Sequence, residues 1–299
     1  FKVLFNGVEV GTFKIPEIFR QKREIGFSEL DNLGDQLGQA LFDACSSLDA
    51  LFKEVHPETR MVVAFHEGAE VLLNLPWEFV KHPHSGRPIS LEMSFVRRIG
   101  DGVELEAIEG RPLKVLVVVS EPLTLTSFSC RRFHDAICQG AQRLADDGLI
   151  QLEFLELPST PDNFARRVLE WTPDVIHFIG HGDVGGLYFE GEDGEEVRVG
   201  ADRFHLLFKG AKLRLVILTA CYSGALQEKD LISGTATALV KAGIPSVLAM
   251  QLPIGIESAY WLIGDLYAGF FKETFDSLLR YLRASRFFAE RSHAPSQWG

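Results

Sequence analysis

The sequence has little of several features that define large classes of protein. Its 30 basic residues are outnumbered by 41 acidic ones, for a net charge of −11, and the basic residues form no stripe. This argues against a nucleic-acid surface, because phosphate binding requires clustered Lys and Arg. The longest apolar runs, such as residues 213–218, are far shorter than a membrane span, so we expect no membrane contact. The first residues show no signal-peptide pattern.

Cysteine is also scarce. Four cysteines occur among 299 residues, with no CxxC pair and no spacing typical of a disulfide framework. Unpaired cysteines in an acidic chain that is 46% hydrophobic are typical of a reducing compartment. We therefore expect a cytoplasmic protein. The sequence has no repeats and no low-complexity tracts.

Two motifs dominate what is present. Val175–Gly182 ends at a glycine turn that carries His181, and Leu215–Gly224 ends at a small-residue turn that carries Cys221. Each begins with an apolar, β-branched run of the kind found in strands buried on both faces of a parallel sheet. Sites in open α/β sheets lie at the carboxyl ends of the strands, so neighbouring strands would place both side chains at one edge. A thiol beside an imidazole is the minimum machinery for a cysteine nucleophile.

The remaining pattern predicts two domains. Strands alternate with helices over residues 111–299, which indicates βαβ crossovers and a mainly parallel sheet with helices on both faces. A polar, Gly-rich stretch at residues 101–112 separates this part from a predicted α+β subdomain over residues 1–100. For that subdomain the pattern predicts a hairpin turning at Asn6-Gly7, one helix within residues 27–55, and strands over residues 61–65 and 71–75.

The motifs resemble those of the CHAT branch of the caspase-like, clan CD, cysteine peptidases. H-x-x-G-H-G after one strand and T-A-C-x-S-G after the next are specific in combination. The segments Leu75–Phe79, Ser94–Arg98 and Ala242–Gln251 are similar to further motifs of that family, and the match runs from about residue 72 to residue 298. The resemblance implies an α/β caspase-like three-layer sandwich with a mainly parallel sheet.

The resemblance also implies a mechanism, that of a cysteine endopeptidase acting on a specific protein substrate. Cys221 is the nucleophile, His181 is the general base and acid, and the backbone N–H groups of Gly182 and Cys221 form the oxyanion hole. Asp174 lies at the wrong end of its strand to orient His181, and no other acidic third member is evident; a backbone carbonyl is a candidate for that task, but the sequence does not identify it. His177 is expected to support the His181 turn or the core, not to act in catalysis.

No cofactor is expected. Residues 180–185 satisfy G-x-G-x-x-G, but they run into a strand-like stretch instead of opening a helix, as a dinucleotide fingerprint requires. His177 and His181 have a spacing that suits a metal only on a helix, so we expect no metal site.

The substrate pocket is less determined. Thr219 lies two positions before Cys221, where some relatives that cut after Arg or Lys carry Asp, and this departure argues against a strict preference for Arg or Lys. Asp183, Asp230 and Glu257 are the candidates for adding negative charge to the pocket, and Gln251 is the candidate for a wall of the cleft. We expect a basic or neutral residue before the cleaved bond.

By resemblance, the module works beside a sensing or protein-binding module, often of helical repeats, in the same or a partner chain. Such modules are latent until a partner or ligand activates them in bacterial signalling or defence. We expect a piece of a longer polypeptide, because the sequence begins at Phe1 and a Trp such as Trp298 precedes one more strand in the family. Two alternatives stay open, a catalytically silent caspase-like scaffold that binds proteins and a cysteine-dependent hydrolase or transferase acting on small amides.

Overall fold

A computed structural model of the chain forms two compact units, Phe1–Gly100 and Asp101–Glu273. In the described part of the chain, no helix combines the length and the hydropathy that a membrane crossing needs. The domain boundary expected from the sequence stays a prediction. The structure describes residues 2–5, 8–16, 30–52, 60–65, 72–73, 75–99, 105, 108–183, 185–220, 234–250 and 255–270.

The first unit combines a hairpin, helices and a pair of parallel strands. The predicted hairpin is present, with β1 antiparallel to β2, and β3 pairs with β4 in parallel. Its helices and strands are β1 (Lys2–Phe5), β2 (Val8–Thr12), α1 (Leu30–Ala44), α2 (Ser47–Phe52), β3 (Arg60–Phe65), α3 (Ile89–Glu92) and β4 (Ser94–Ile99).

Two sequence-based expectations for this unit are wrong. The single helix predicted within residues 27–55 is interrupted after Ala44, where Ser46 and Ser47 favour a turn because their hydroxyl groups compete for backbone hydrogen bonds. Within the strand predicted over residues 71–75, the described residues Leu72, Leu73 and Leu75 form no strand, and the Leu75 N–H donates to the Leu72 carbonyl at 3.2 Å. These apolar residues are buried beneath Trp77.

The motif segments around residues 75–79 and 94–98 have structural roles. Trp77 is buried, and its indole N–H donates to the Leu72 carbonyl at 2.6 Å. The Arg97 guanidinium donates to the Glu78 carboxylate, with Nε to Oε1 at 2.9 Å, and ties β4 to the 3-10 helix Trp77–Phe79. These family-like residues therefore stabilise the first unit.

The second unit is built on a five-stranded parallel sheet with helices on both faces, as predicted. The strand order is β12-β11-β7-β5-β6. The bounds are β5 (Leu113–Val119), α4 (Cys130–Asp146), β6 (Ile150–Phe154), α5 (Pro161–Trp171), β7 (Val175–Ile179), α6 (Ala201–Phe204), β11 (Leu215–Thr219), α7 (Thr235–Lys241), β12 (Val247–Ala249) and α8 (Ile256–Phe270).

Alternate residues of the central strands face opposite layers of helices. Leu116, Ile176 and Val216 share one apolar cluster with residues of α5, α6 and α7. On the other face, His177 contacts Tyr267 of α8, and α8 packs on α4. Every residue of β7 and β11 is buried, which explains why both strands are apolar apart from His177 and Thr219.

A small antiparallel sheet follows β7 directly. It comprises β8 (Gly182–Asp183), β9 (Gly186–Glu190) and β10 (Glu196–Gly200) in the order β10-β9-β8. Phe189 of this sheet packs in the same apolar cluster as Phe178, so the hairpin is anchored beside the carboxyl end of β7.

Candidate active site

The two motif strands are adjacent and in register. β7 and β11 pair in parallel with Ile179 opposite Thr219, and the Gly180 N–H donates to the Thr219 carbonyl at 3.2 Å. His181 and Cys221 each lie two positions beyond the paired residues Ile179 and Thr219 in the sequence. Cys221 itself lies outside the described residues. The described part of the second motif ends at Ala220, beyond the carboxyl end of β11 and beside the strand that leads to His181.

His181 is held by a loop that follows β5. Its Nε2 lies 2.7 Å from the carbonyl oxygen of Thr126, and its ring packs on Phe128 with a centroid separation of 5.4 Å. A carbonyl oxygen accepts only, so Nε2 carries the proton and Nδ1 presents its lone pair. The contact thus selects the tautomer in which Nδ1 is the base.

The loop from Glu121 to Ser129 is in turn held by the Glu121 carboxylate. Its Oε1 accepts the Phe128 N–H at 2.7 Å and the Ser127 hydroxyl, and its Oε2 accepts the Cys130 thiol at 2.7 Å. Burial opposes ionisation of Glu121, yet the hydrogen bonds from Cys130, Ser127 and Phe128 lower its pKa overall. Burial and the contact with Glu121 raise the pKa of the Cys130 thiol to about 12, so this thiol stays protonated and keeps donating.

Gly182 follows His181 directly and begins the small antiparallel sheet. The Tyr188 N–H donates to the His181 carbonyl at 3.0 Å, and Gly182 is opposite Leu187 in the ladder of β8 and β9. Hydrogen-bonded and non-hydrogen-bonded pairs alternate in an antiparallel ladder, so Gly182 forms a non-hydrogen-bonded pair. Its N–H therefore points away from β9.

His177 and Thr219 are joined inside the sheet. The His177 Nε2 lies 2.9 Å from the Thr219 hydroxyl oxygen, and its Nδ1 lies 3.0 Å from the Tyr267 hydroxyl oxygen. Burial lowers the pKa of His177 to about 3, which keeps the ring neutral. Thr219 is buried, and its hydroxyl faces His177 at the end of the strand that precedes Cys221.

Asp183 is half-buried and paired within the small sheet. Its carboxylate accepts from the Arg198 guanidinium, with Nε and Nη2 at 2.7 and 2.8 Å, and from the Tyr188 hydroxyl at 3.0 Å. The contact with Asp183 raises the pKa of Arg198. Any negative charge that Asp183 lends to a substrate pocket is thus balanced by Arg198.

The other candidate residues are distributed as follows. Asp174 lies before β7, at the opposite edge of the sheet from His181, and binds the Arg111 guanidinium at 2.6 and 2.7 Å. The Glu257 carboxylate accepts from the Arg132 guanidinium at two distances of 2.6 Å. Asp230 and Gln251 lie outside the described residues, so their assignment to the pocket stays a prediction. Among the described residues, no three His, Cys, Asp or Glu side chains converge as a metal site requires.

The residues that hold His181 were not predicted from the sequence. The Thr126 carbonyl and the Phe128 ring contact it, and the Glu121 carboxylate fixes their loop. A backbone carbonyl has no residue signature. An acid two residues after a buried strand, at the carboxyl edge of the sheet, was however a signal that pointed to Glu121.

Comparison with known proteins supports this reading of the fold. The family model of the CHAT domain matches residues 33–299, which includes most of the first unit and all of the second. A search of the curated proteins found no match. The parallel sheet with helices on both faces is consistent with the caspase-like sandwich. The chain therefore belongs to the CHAT-domain family, which is related to the caspase-like clan CD cysteine peptidases.

Proposed function

We propose that this protein is a cysteine endopeptidase that uses His181 and Cys221 as a dyad. The observation that carries the proposal is the hydrogen bond from His181 Nε2 to the Thr126 carbonyl, which leaves Nδ1 as the base. Two features support it: the in-register pairing of β7 with β11, and the direction of the Gly182 N–H. Membership of the CHAT-domain family supports the same assignment, because that family is related to cysteine peptidases.

The reaction is acyl transfer. The Cys221 thiol gives its proton to His181 Nδ1, and the thiolate attacks the carbonyl carbon of the scissile peptide bond. The N–H groups of Gly182 and Cys221 donate to the resulting oxyanion. The C–N bond then breaks, and the leaving amine takes the proton from Nδ1. A water molecule, deprotonated by Nδ1, hydrolyses the thioester and restores the thiol.

The Thr126 carbonyl assists each proton transfer. When Nδ1 takes a proton the ring becomes cationic, and the hydrogen bond from Nε2 to the carbonyl strengthens because the donor is then charged. The carbonyl does the work that an acidic third residue does in other hydrolases. Asp174 therefore has no part in the chemistry.

The substrate is a protein, cleaved after a basic or neutral residue, in a reducing compartment such as the cytoplasm. Among the pocket candidates, the Thr219 hydroxyl is engaged by His177 and the Asp183 carboxylate by Arg198. This favours a pocket that selects by shape over one that selects by a strong charge. We propose that a regulatory module, in this chain or a partner, activates the enzyme by rearranging its active-site loops.

The test is cleavage of a diverse peptide pool, read by mass spectrometry, with the wild-type chain, Cys221→Ala and His181→Ala. We expect cuts by the wild type that are absent with both variants, because each substitution removes one member of the dyad. Removal of one such catalytic residue lowers kcat on the order of 10⁴-fold or more. Asp174→Asn is the control, and its cleavage pattern should match that of the wild type.

Three results would contradict the proposal. Cuts that persist in Cys221→Ala would place the nucleophile elsewhere. Reaction with small amides and none with peptides would support the cysteine-dependent amide hydrolase instead. Silence of the wild type toward both, together with failure of a peptide acyloxymethyl ketone to label Cys221, would support a scaffold that only binds.

A further inference from the structure

We infer that Glu121 is a positioning residue for His181, which it controls through the loop from Glu121 to Ser129. The inference rests on the proposed function, in which His181 is the base. It assigns a role to a carboxylate whose hydrogen bonds, among the described residues, go to Ser127, Phe128 and Cys130 and not to the His181 ring.

Glu121 binds the two residues that follow Thr126 in the sequence. Thr126 supplies the carbonyl to His181, and the next two residues, Ser127 and Phe128, both donate to Glu121 Oε1. Phe128 also packs its ring on His181. One carboxylate oxygen therefore fixes the segment that gives His181 both its hydrogen-bond acceptor and its ring contact.

Both ends of the loop are tethered as well. The Glu121 N–H donates to Glu190 Oε1 at 3.0 Å, and the second oxygen of this buried carboxylate accepts the Ser159 N–H at 2.6 Å. At the far end, the Ser129 N–H donates to the Tyr260 hydroxyl of α8 at 3.0 Å. With both ends held, the path of residues 126–128 depends on the carboxylate between them.

The chemistry of the three donors explains why an acid is suited to this position. The Glu121 carboxylate only accepts, and it meets a hydroxyl, a backbone N–H and a thiol. In Glu121→Gln, the amide oxygen can keep the place of Oε1, while the NH₂ group faces the Cys130 sulfur, which is also a weak acceptor. Glu121→Ala removes all three contacts. The two substitutions thus separate loss of charge from loss of the loop anchor.

The experiment reads the proton position on His181 directly. ¹⁵N-histidine NMR of the full chain in a Cys221→Ala background is compared for Glu121, Glu121→Gln and Glu121→Ala, with His181→Ala to assign the signal. We expect the Nε2–H tautomer with Glu121 and with Glu121→Gln, and a mixture of tautomers with Glu121→Ala. Glu153→Ala is the matched control, because Glu153 is a partly buried acid that pairs with Arg167 outside the site.

The NMR measurement of the His181 tautomer does not depend on peptide cleavage. Its outcome therefore tests the role of Glu121 separately from the proposed peptidase activity. An unchanged tautomer in Glu121→Ala would overturn the inference, even if that variant were less stable to heat. Where the wild type cleaves peptides, we expect kcat of Glu121→Ala to fall by roughly 10- to 100-fold with little change in KM, as for a displaced catalytic group. Glu121→Gln should recover most of this loss; equal losses in both variants would also overturn it.

Discussion

The buried ring of His177 makes the stability of the protein depend on pH. Burial lowers its pKa to about 3, against an ordinary value of 6.5. Between these values the unfolded chain binds a proton at this ring and the folded chain does not. The free energy of unfolding therefore decreases as the pH falls through this window, and the full contribution is present above pH 6.5.

We predict that His177→Gln reduces this dependence. Glutamine keeps a donor and an acceptor for Thr219 and Tyr267 but does not titrate. In urea unfolding between neutral pH and mildly acidic pH, the wild-type free energy should fall more steeply than that of the variant, by up to ~1.4 kcal/mol per pH unit.

Tyr267→Phe is the control for this comparison. It removes the hydroxyl that contacts His177 but leaves the ring buried, so it should lower the free energy of unfolding by ~1 kcal/mol with the slope retained. Parallel curves for the wild type and His177→Gln would show that the ring is protonated in the folded state.

Helices α4 and α8 approach each other closely where they cross at Gly140. A Cβ atom at Gly140 would lie 2.3 Å from the Gly264 carbonyl oxygen and 3.0 Å from the Tyr267 Cβ. Alanine normally stabilises a helix relative to glycine by ~1 kcal/mol, but a backbone oxygen cannot yield as a flexible side chain does. We predict that Gly140→Ala lowers the free energy of unfolding by about 1–3 kcal/mol, as measured in urea.

Gly264, on the facing helix, provides the opposite case. A Cβ atom there would lie 3.7 Å from the Ala136 carbonyl oxygen, which is ordinary contact. Gly264→Ala should therefore be neutral or stabilise by up to ~1 kcal/mol. Changes in the free energy of unfolding of the same sign and size in both variants would contradict the close contact of α4 and α8 at Gly140. Because α8 also carries Tyr260 and Tyr267, Gly140→Ala should disturb the contacts to Ser129 and His177 as well.

We expect the parallel sheet of the second unit to unfold locally at its edge strand β12 before its centre. β7 is bonded on both sides, to β5 and β11, and all its residues are buried, whereas β12 is a three-residue edge strand that is half-buried. Amide hydrogen exchange read by mass spectrometry should be slowest in peptides from β7 and earlier in those from β12. Equal protection of the two strands would mean that the sheet opens only by global unfolding.

Much of the sheet followed from the sequence because its strands are buried on both faces. The apolar runs that begin at Val175 and Leu215 predicted two buried strands, and these are β7 and β11 in the structure. The elements of the first unit were harder to predict. Its apolar residues keep helical spacing across the break at Ser46, and those that contact Trp77 resemble a strand although the described ones form none. Local hydrophobicity reports burial there, but it does not report the path of the backbone.

The candidate site was predictable only where a side chain carries the chemistry. His181 and the turn after β7 follow from a motif, whereas the ion pair of Asp183 depends on Arg198 from another strand. The placement of the Thr126 carbonyl depends on a loop conformation set by three donors to Glu121. Such contacts arise from tertiary structure and leave no periodic pattern.

The hydrogen bond between His181 and the Thr126 backbone has an evolutionary consequence. Every residue type carries the same carbonyl oxygen, so selection for this bond acts on the length and path of the loop, not on the side chain at position 126. Substitutions can accumulate at that position without loss of the acceptor, whereas an insertion or deletion nearby removes it. Lineages that share this arrangement would show a variable residue at the point where the imidazole is held most directly.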